Sequence, residues 1–149
     1  MIRITMPEKT KNRIFKKMTV VFLIAALSLA VAGCDYSARL KYTNFLADMD
    51  LTTRYDICFD SIKKNDAGLY IKEELRYLKA DIASFSAPDD YIQEANYNFI
   101  RCADALLESI DEYESANYPA AEEAYSRADY HYLEARALVN KITVGNENV

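Results

Sequence analysis

Apolar residues recur every three or four positions along most of the chain after residue 36. One stripe consists of Ile71, Leu75, Leu78, Ile82 and Phe85. A second consists of Ile92, Phe99, Ala103, Leu106, Ile110 and Tyr113, and a third of Ala121, Tyr125, Ala128, Tyr132, Ala135, Val139 and Ile142. The earliest stripe, with a repeat near 3.5 residues, consists of Ala38, Tyr42, Phe45, Met49, Tyr55, Phe59 and Ile62. Helices bury one face at this period, whereas half-buried strands alternate apolar and polar residues, so the pattern predicts an all-α protein.

Turn-forming residues divide these stripes into four predicted helices. Lys64–Gly68 has the composition of a turn, and Ser86–Asp90 is typical of a helix start with Pro near its first position. Pro119 predicts a break or a sharp kink at Tyr118, because Pro inside a helix clashes with the preceding turn. The predicted helices cover residues 36–64, 67–85, 89–116 and 119–142, and a polar tail covers residues 143–149. Short connections favour antiparallel neighbours, so residues 34–142 are predicted to form one up-and-down four-helix bundle of two helical hairpins.

The start of the chain has a different pattern. Lys16 and Lys17 precede an uncharged apolar run, Met18–Cys34. A basic segment followed by a short apolar segment is typical of an export signal. The run is 17 residues long, which is marginal for a permanent helix across a hydrocarbon core of about 30 Å. We therefore predict that residues 1–33 are a signal peptide that is removed.

The end of the apolar run indicates how it is removed. The run ends with an aliphatic residue, two small residues and a cysteine, which are Val31, Ala32, Gly33 and Cys34. This motif resembles the lipobox of prokaryotic membrane lipoproteins. The resemblance covers the signal alone. It implies cleavage between Gly33 and Cys34, a diacylglyceryl group on the Cys34 thiol, and fatty acyl chains such as palmitate that hold the protein on the extracytoplasmic face of the cell membrane. Asp35 resembles the inner-membrane retention signal of enterobacterial lipoproteins, which has meaning only in an organism with two membranes.

Two other interpretations of this segment stay open. One is an ordinary secretory signal in which Cys34 is a coincidence, and the other is an uncleaved anchor helix. All three interpretations place the remainder of the chain outside the cytoplasm.

Charge is distributed unevenly along the 149 residues. Six of the 18 Lys and Arg residues, but only one of the 23 acidic residues, lie in residues 1–33, so the remainder has a net charge of −10. Such a body repels phosphate backbones, and we expect no nucleic-acid partner. Arg39 and Lys41 follow Cys34 closely, where their side chains are either solvated or meet anionic headgroups.

Two cysteines remain once Cys34 carries lipid. Cys58 and Cys102 lie at a similar height in the predicted bundle, and cysteine pairs outside the cytoplasm are able to oxidise. A disulfide needs Cα atoms about 4.4–6.8 Å apart, whereas the first and third helices of a square bundle lie on a diagonal. A disulfide and two buried free thiols therefore both remain open.

Residues typical of catalysis and metal binding are scarce. His131 is the only His, and the Glu-x-x-His pairs of a ferritin-like metal site are missing. Gly68 and Gly145 are the only glycines after Cys34, which excludes a glycine-rich phosphate loop and a dinucleotide fingerprint. We therefore expect no enzyme activity, no metal site and no cofactor, and we expect His131 to bond to a neighbouring side chain.

Tyrosine is abundant after Cys34. Tyr125 and Tyr132 lie at core spacing, opposite small alanines. Six others lie beside the apolar stripes and are predicted to be exposed: Tyr70, Tyr77, Tyr91, Tyr97, Tyr118 and Tyr130. Exposed tyrosine is enriched at recognition surfaces because it offers rigid amphipathic area. Tyr70, Tyr113 and Tyr118, at one end of the bundle, are the predicted partner surface.

These features predict binding rather than catalysis. The leading hypothesis is a lipid-anchored accessory or scaffold subunit that contacts another protein of the cell envelope. The alternative is a receptor for a small ligand, held in an interhelical pocket lined by Tyr and His131.

Overall fold

The computed structural model describes residues 37–86 and 88–144, which form helices joined by short turns with no strand among them. Helix α1 covers residues 37–48, followed by α2 (Leu51–Lys63), α3 (Leu69–Ser84), α4 (Asp90–Glu114) and α5 (Tyr118–Val144). The all-α prediction is confirmed for this part of the chain. No helix in the described ranges is both long enough and apolar enough to cross a bilayer. The predicted signal peptide, Cys34 and residues 145–149 lie outside the described residues.

The first predicted helix, residues 36–64, is two helices. Asp50 has a left-handed backbone conformation (φ 50°, ψ 42°) between α1 and α2, so the described residues contain five helices and the predicted number of four is not confirmed. Leu46 and Leu51 flank this break and both are buried. Five residues turn a continuous helix by about 140°, so the two leucines could not both face one core without the break.

Helix α4 lies at the centre of the packing. It contacts α2, α3 and α5, and its buried side chains cover more than one face, including Phe99, Cys102 and Leu106. The Tyr55 hydroxyl of α2 donates to the Phe99 carbonyl oxygen at 2.6 Å. Helices α2 and α4, which hold Cys58 and Cys102, are therefore in direct contact.

Two ion pairs show that α3 and α4 run in opposite directions and that Arg39 of α1 lies beside the start of α4. Arg39, two positions after the first described residue of α1, donates to Asp89 at the start of α4 with an Nε–Oδ2 distance of 2.7 Å. At the other end, Lys72 in the first turn of α3 donates to Asp111 near the end of α4, with an Nζ–Oδ1 distance of 2.7 Å. We call the end that holds the turns over residues 64–68 and 115–117 the two-turn end.

The two proline-containing helix starts lie close to their predicted positions. Asp89 caps α4, since its Oδ1 accepts from the backbone N–H groups of Tyr91 at 2.9 Å and Ile92 at 3.2 Å. The turn over residues 115–117 ends at Tyr118, so Pro119 lies in the first turn of α5 and the predicted break is a loop. Helix α5 continues to Val144, so the first two residues of the predicted polar tail are helical.

Candidate functional site

The two-turn end is held together by polar contacts between helices. The Lys72 ammonium donates to both Asp111 and Glu114 at 2.7 Å, which joins the start of α3 to the end of α4. These two carboxylates raise the pKa of Lys72. The buried Ser109 hydroxyl of α4 donates to the Ala121 carbonyl oxygen of α5 at 2.8 Å. The C-terminal part of α4 is thereby attached to α3 and to α5.

Both turns at this end use a left-handed residue with a side chain. Asn65 has φ 56° and Ala116 has φ 59°. The N–H of Asp66 bonds the Ser61 carbonyl oxygen, and the N–H of Asn117 bonds that of Glu112 in the same way, which is the Schellman pattern of helix ends. Gly68, predicted as part of the turn, has φ −75° and starts α3 without needing glycine's conformational freedom.

A cleft opens between these turns. It consists of two adjoining cavities of about 460 Å³ and 330 Å³ that share the lining residues Ile62, Asn65, Ser109 and Tyr113. We call their union the end cleft. Its further lining residues are Lys63, Asp66, Ala67, Gly68, Ile110, Glu114, Tyr118, Ala121, Glu122 and Tyr125. The cleft is formed by α2, α4, α5 and the 64–68 turn, none of which forms it alone.

Three tyrosine rings line the larger cavity. The rings of Tyr113 and Tyr118 meet edge to face with centroids 5.2 Å apart, and the side chains remain 41 % and 57 % exposed. Tyr125 is half-buried and its ring packs edge-on against Phe59 with centroids 5.5 Å apart. Burial raises the pKa of Tyr125, with smaller contributions from Asp129 and Asp60. The cleft is therefore lined by one tyrosine ring that packs against the core and by an exposed pair of tyrosine rings at its mouth.

The predicted partner surface is only partly brought together. Tyr113 and Tyr118 touch each other, whereas Tyr70 is 72 % exposed at the start of α3 and lines neither cavity of the end cleft. Tyr113 was also part of a predicted core stripe, and its exposure corrects that assignment. The prediction of six exposed tyrosines beside the stripes is confirmed for all six.

Acidic side chains predominate among the charged lining residues. Asp66, Glu114 and Glu122 line the cleft together with one base, Lys63. Glu114 pairs with Lys72, while Asp66 and Glu122 belong to none of the ion pairs between described residues. The cleft thus combines aromatic faces with carboxylates that lack a cation within this part of the chain.

His131 lies away from this cleft and bonds to a neighbour, as expected. Asn98 donates its Nδ2 to the Glu94 carbonyl oxygen at 3.0 Å, which directs its Oδ1 to His131 Nδ1 at 2.9 Å. Nδ1 therefore carries the imidazole proton. Burial lowers the pKa of His131, and the charges of Arg101 and Arg127 lower it further. His131 lines none of the four cavities described for this part of the chain.

Cys58 and Cys102 are free thiols buried in the core. Burial raises the pKa of Cys58 to about 12. It also raises the pKa of Cys102, to which a charge on Cys58 contributes further. Within the described residues no group of three or more His, Cys, Asp and Glu side chains is arranged to hold a metal ion.

Two basic side chains have partners that the sequence did not indicate. Arg39, considered above as solvated or near headgroups, pairs with the buried Asp89 and lies over the Tyr91 ring at 5.5 Å from its centroid. Arg136 lies over the Tyr132 ring at 5.6 Å, beside a cavity of about 260 Å³ at the α1–α2 break. Both arginines are thus positioned on tyrosine faces.

Comparison of the chain with protein-family models, curated proteins and solved structures gave no match.

Proposed function

We propose that this protein is a lipid-anchored, extracytoplasmic subunit that binds another protein of the cell envelope through its two-turn end. The lipobox-like residues ending in Cys34 support the anchor, and residues 1–33 are the proposed signal peptide. The proposal includes no catalytic residue, no cofactor and no nucleic-acid partner.

The proposed architecture is an up-and-down bundle of four arms, in which α1 and α2 together form the first, broken arm. The Arg39 to Asp89 and Lys72 to Asp111 pairs support alternating directions along the chain. Cys34 lies three positions before residue 37, the first described residue of α1, whereas the end cleft is lined by Ile62 and Lys63 at the end of α2.

The observation that carries the binding proposal is the exposed Tyr113–Tyr118 pair at the mouth of a cleft. Large exposed aromatic side chains that are already in contact lose little conformational entropy when a partner covers them. Tyrosine is also among the residues that most often dominate binding energy at interfaces. The combination supports a recognition surface.

Crosslinking in intact cells tests this proposal. A photoreactive amino acid placed at position 118 should capture a specific envelope protein, and the same amino acid in place of Tyr77 should not. Tyr77 is a matched control because it is an exposed tyrosine on α3, outside the cleft. Capture of the same proteins at both positions, or of none at position 118, would contradict the proposal.

The mass of the protein extracted from membranes tests the anchor separately. We expect the mass of residues 34–149 plus lipid. An unlipidated chain cut elsewhere would indicate a secreted protein, and a full-length chain would indicate an uncleaved anchor.

A small-ligand receptor is the second candidate, favoured by the size of the end cleft. The larger cavity, about 460 Å³, falls within the range typical of ligand sites. A ligand that binds only the folded state raises the melting temperature by mass action. A shift caused by one metabolite and removed by Tyr118→Ala would support this candidate, whereas no shift across a broad metabolite set would contradict it.

A further inference from the structure

We infer that the end cleft binds an arginine-bearing segment of the partner protein. This inference rests on the proposed function and adds the chemistry of the partner. It is carried by three observations: the aromatic lining, the excess of acidic lining residues, and the way in which arginines elsewhere in this molecule are held.

The aromatic lining suits a planar cation. Tyr113 and Tyr118 stand at the mouth of the larger cavity, and Tyr125 lines its side. The face of a tyrosine ring carries negative potential that attracts a cation. The guanidinium group of arginine is flat and more weakly hydrated than an ammonium group, so it stacks on such faces with a smaller loss of hydration than lysine.

The charges of the cleft complement a cation. Asp66 and Glu122 line the cleft without an ion-pair partner among the described residues, and Lys63 is the only basic lining residue. Glu122 follows Tyr118 by four positions on α5, which places both residues on one face of the helix. The net charge of −10 on residues 34–149 would also attract a basic segment over a distance of about one Debye length.

The molecule itself shows how it holds an arginine. Arg39 donates to the Asp89 carboxylate at 2.7 Å and lies over the Tyr91 ring at 5.5 Å, so a carboxylate and a tyrosine face hold the same guanidinium group. The second cation–π contact among the described residues involves Arg136 and Tyr132. Neither contact uses a tyrosine of the end cleft. The cleft therefore presents the same two chemical groups, tyrosine face and carboxylate, without an arginine from the described chain.

Peptide binding tests the inference on the full chain in a neutral detergent. The probe is a fluorescently labelled heptapeptide of alternating serine and arginine, measured by anisotropy. The control peptide has citrulline in place of arginine, which keeps the planar shape and removes the charge. We expect saturable binding of the arginine peptide and at least tenfold weaker binding of the citrulline peptide.

Variants locate the binding in the end cleft. Tyr118→Ala should weaken binding about fivefold or more, the factor that corresponds to one cation–π contact of about 1 kcal/mol. Tyr118→Phe should bind within twofold of the unmodified protein, because the ring face is kept. Glu122→Gln should also weaken binding, whereas Tyr77→Ala and Glu134→Gln, on exposed positions outside the cleft, should leave it within twofold.

Several results would overturn the inference. These are the absence of saturable binding, equal binding of the arginine and citrulline peptides, and equal weakening by Tyr118→Ala and Tyr77→Ala. Capture at position 118 of a second copy of this chain, or of a partner through a segment without arginine, would overturn it and leave the proposed binding function standing. Failure to capture any partner at position 118 counts against the proposed function itself.

Discussion

A single alanine in the turn between α4 and α5 adopts the left-handed backbone conformation, in which its Cβ is sterically crowded. Ala116 has φ 59°, and a non-glycine residue in the left-handed region costs about 1 kcal/mol or more. Asn65 makes the equivalent turn on α2 with a residue that tolerates this region better. Both residues lie in the turns of the two-turn end, so the left-handed backbone of these turns lowers the free energy of unfolding.

We expect Ala116→Gly to raise the free energy of unfolding by about 1 kcal/mol, because glycine has no Cβ to clash in the left-handed region. Urea denaturation measures the change. Ala137→Gly is the matched control, because Ala137 is exposed within α5 and the same replacement there should lower stability by about 1 kcal/mol. Lower stability in both variants would contradict the strained turn.

The two core cysteines should be chemically inert in the folded protein. Burial raises the pKa of Cys58 to about 12 and also raises that of Cys102, so the nucleophilic thiolate is scarce at neutral pH. Iodoacetamide at pH 8 should label neither residue in the folded protein and both in denaturant, as measured by mass spectrometry. Rapid labelling of the folded protein, or the gain of a hydrogen pair on reduction, would contradict the free, buried thiols.

His131 should make stability depend on pH in one direction. Burial holds the pKa of His131 below its ordinary value of 6.5, so between 6.5 and the lower folded pKa the unfolded state binds more protons. The free energy of unfolding should therefore fall as the pH decreases below 6.5. His131→Asn keeps a donor toward Asn98 and should reduce this fall. An unchanged pH profile in the variant would show that other groups cause it.

At the scale of helices, one carboxylate links α1 to the start of α4. Asp89 caps α4 through the N–H groups of Tyr91 and Ile92 and accepts from Arg39 at 2.7 Å, although its own side chain is almost completely buried. A buried carboxylate is tolerated where it is paired and hydrogen-bonded. The contacts of Asp89 meet both conditions and fix the first turn of α4 beside Arg39.

We expect Asp89→Ala to lower the free energy of unfolding by about 2 kcal/mol, since it removes the cap and leaves Arg39 without its carboxylate. Asp89→Asn should cost less, because its side-chain oxygen still caps the helix. Chemical denaturation measures both changes, with Asp90→Ala as the neighbouring exposed control. Equal losses in all three variants would argue against a specific role for Asp89.

At the scale of the whole molecule, the strongly acidic body and the basic first segment have opposite charge. Residues 34–149 have a net charge of −10, so anionic lipid headgroups repel them and do not hold them at a membrane. In our proposal the membrane attachment therefore comes from lipid on Cys34.

Cys34→Ser removes the thiol that lipidation requires. We expect this variant to incorporate no labelled palmitate and to be released from, or left unprocessed in, the membrane fraction. Cys58→Ser is the control, because Cys58 is buried in the folded body and should not affect labelling. Equal palmitate incorporation in the Cys34→Ser variant and the unmodified protein would contradict the proposed anchor.

Local sequence determined the helical character, most helix ends and most of the buried helix faces of this protein. The stripe from Ile71 to Ile82 is buried as its period predicts, and Asp89 caps α4 where the turn residues indicated. These features depend on neighbours three or four positions away, which the sequence displays directly. The exposure of Tyr70, Tyr77 and Tyr130 followed from the same periodicity.

Only the tertiary structure decided the rest. The break at Asp50, the partner of Arg39 and the ring contact of Tyr113 with Tyr118 depend on how separate helices pack, which no local period specifies. The end cleft is the clearest case, since its walls come from three helices and a turn that approach one another only after folding. Periodicity determines which face of a helix is buried, whereas the packing of several helices determines where a cleft remains open.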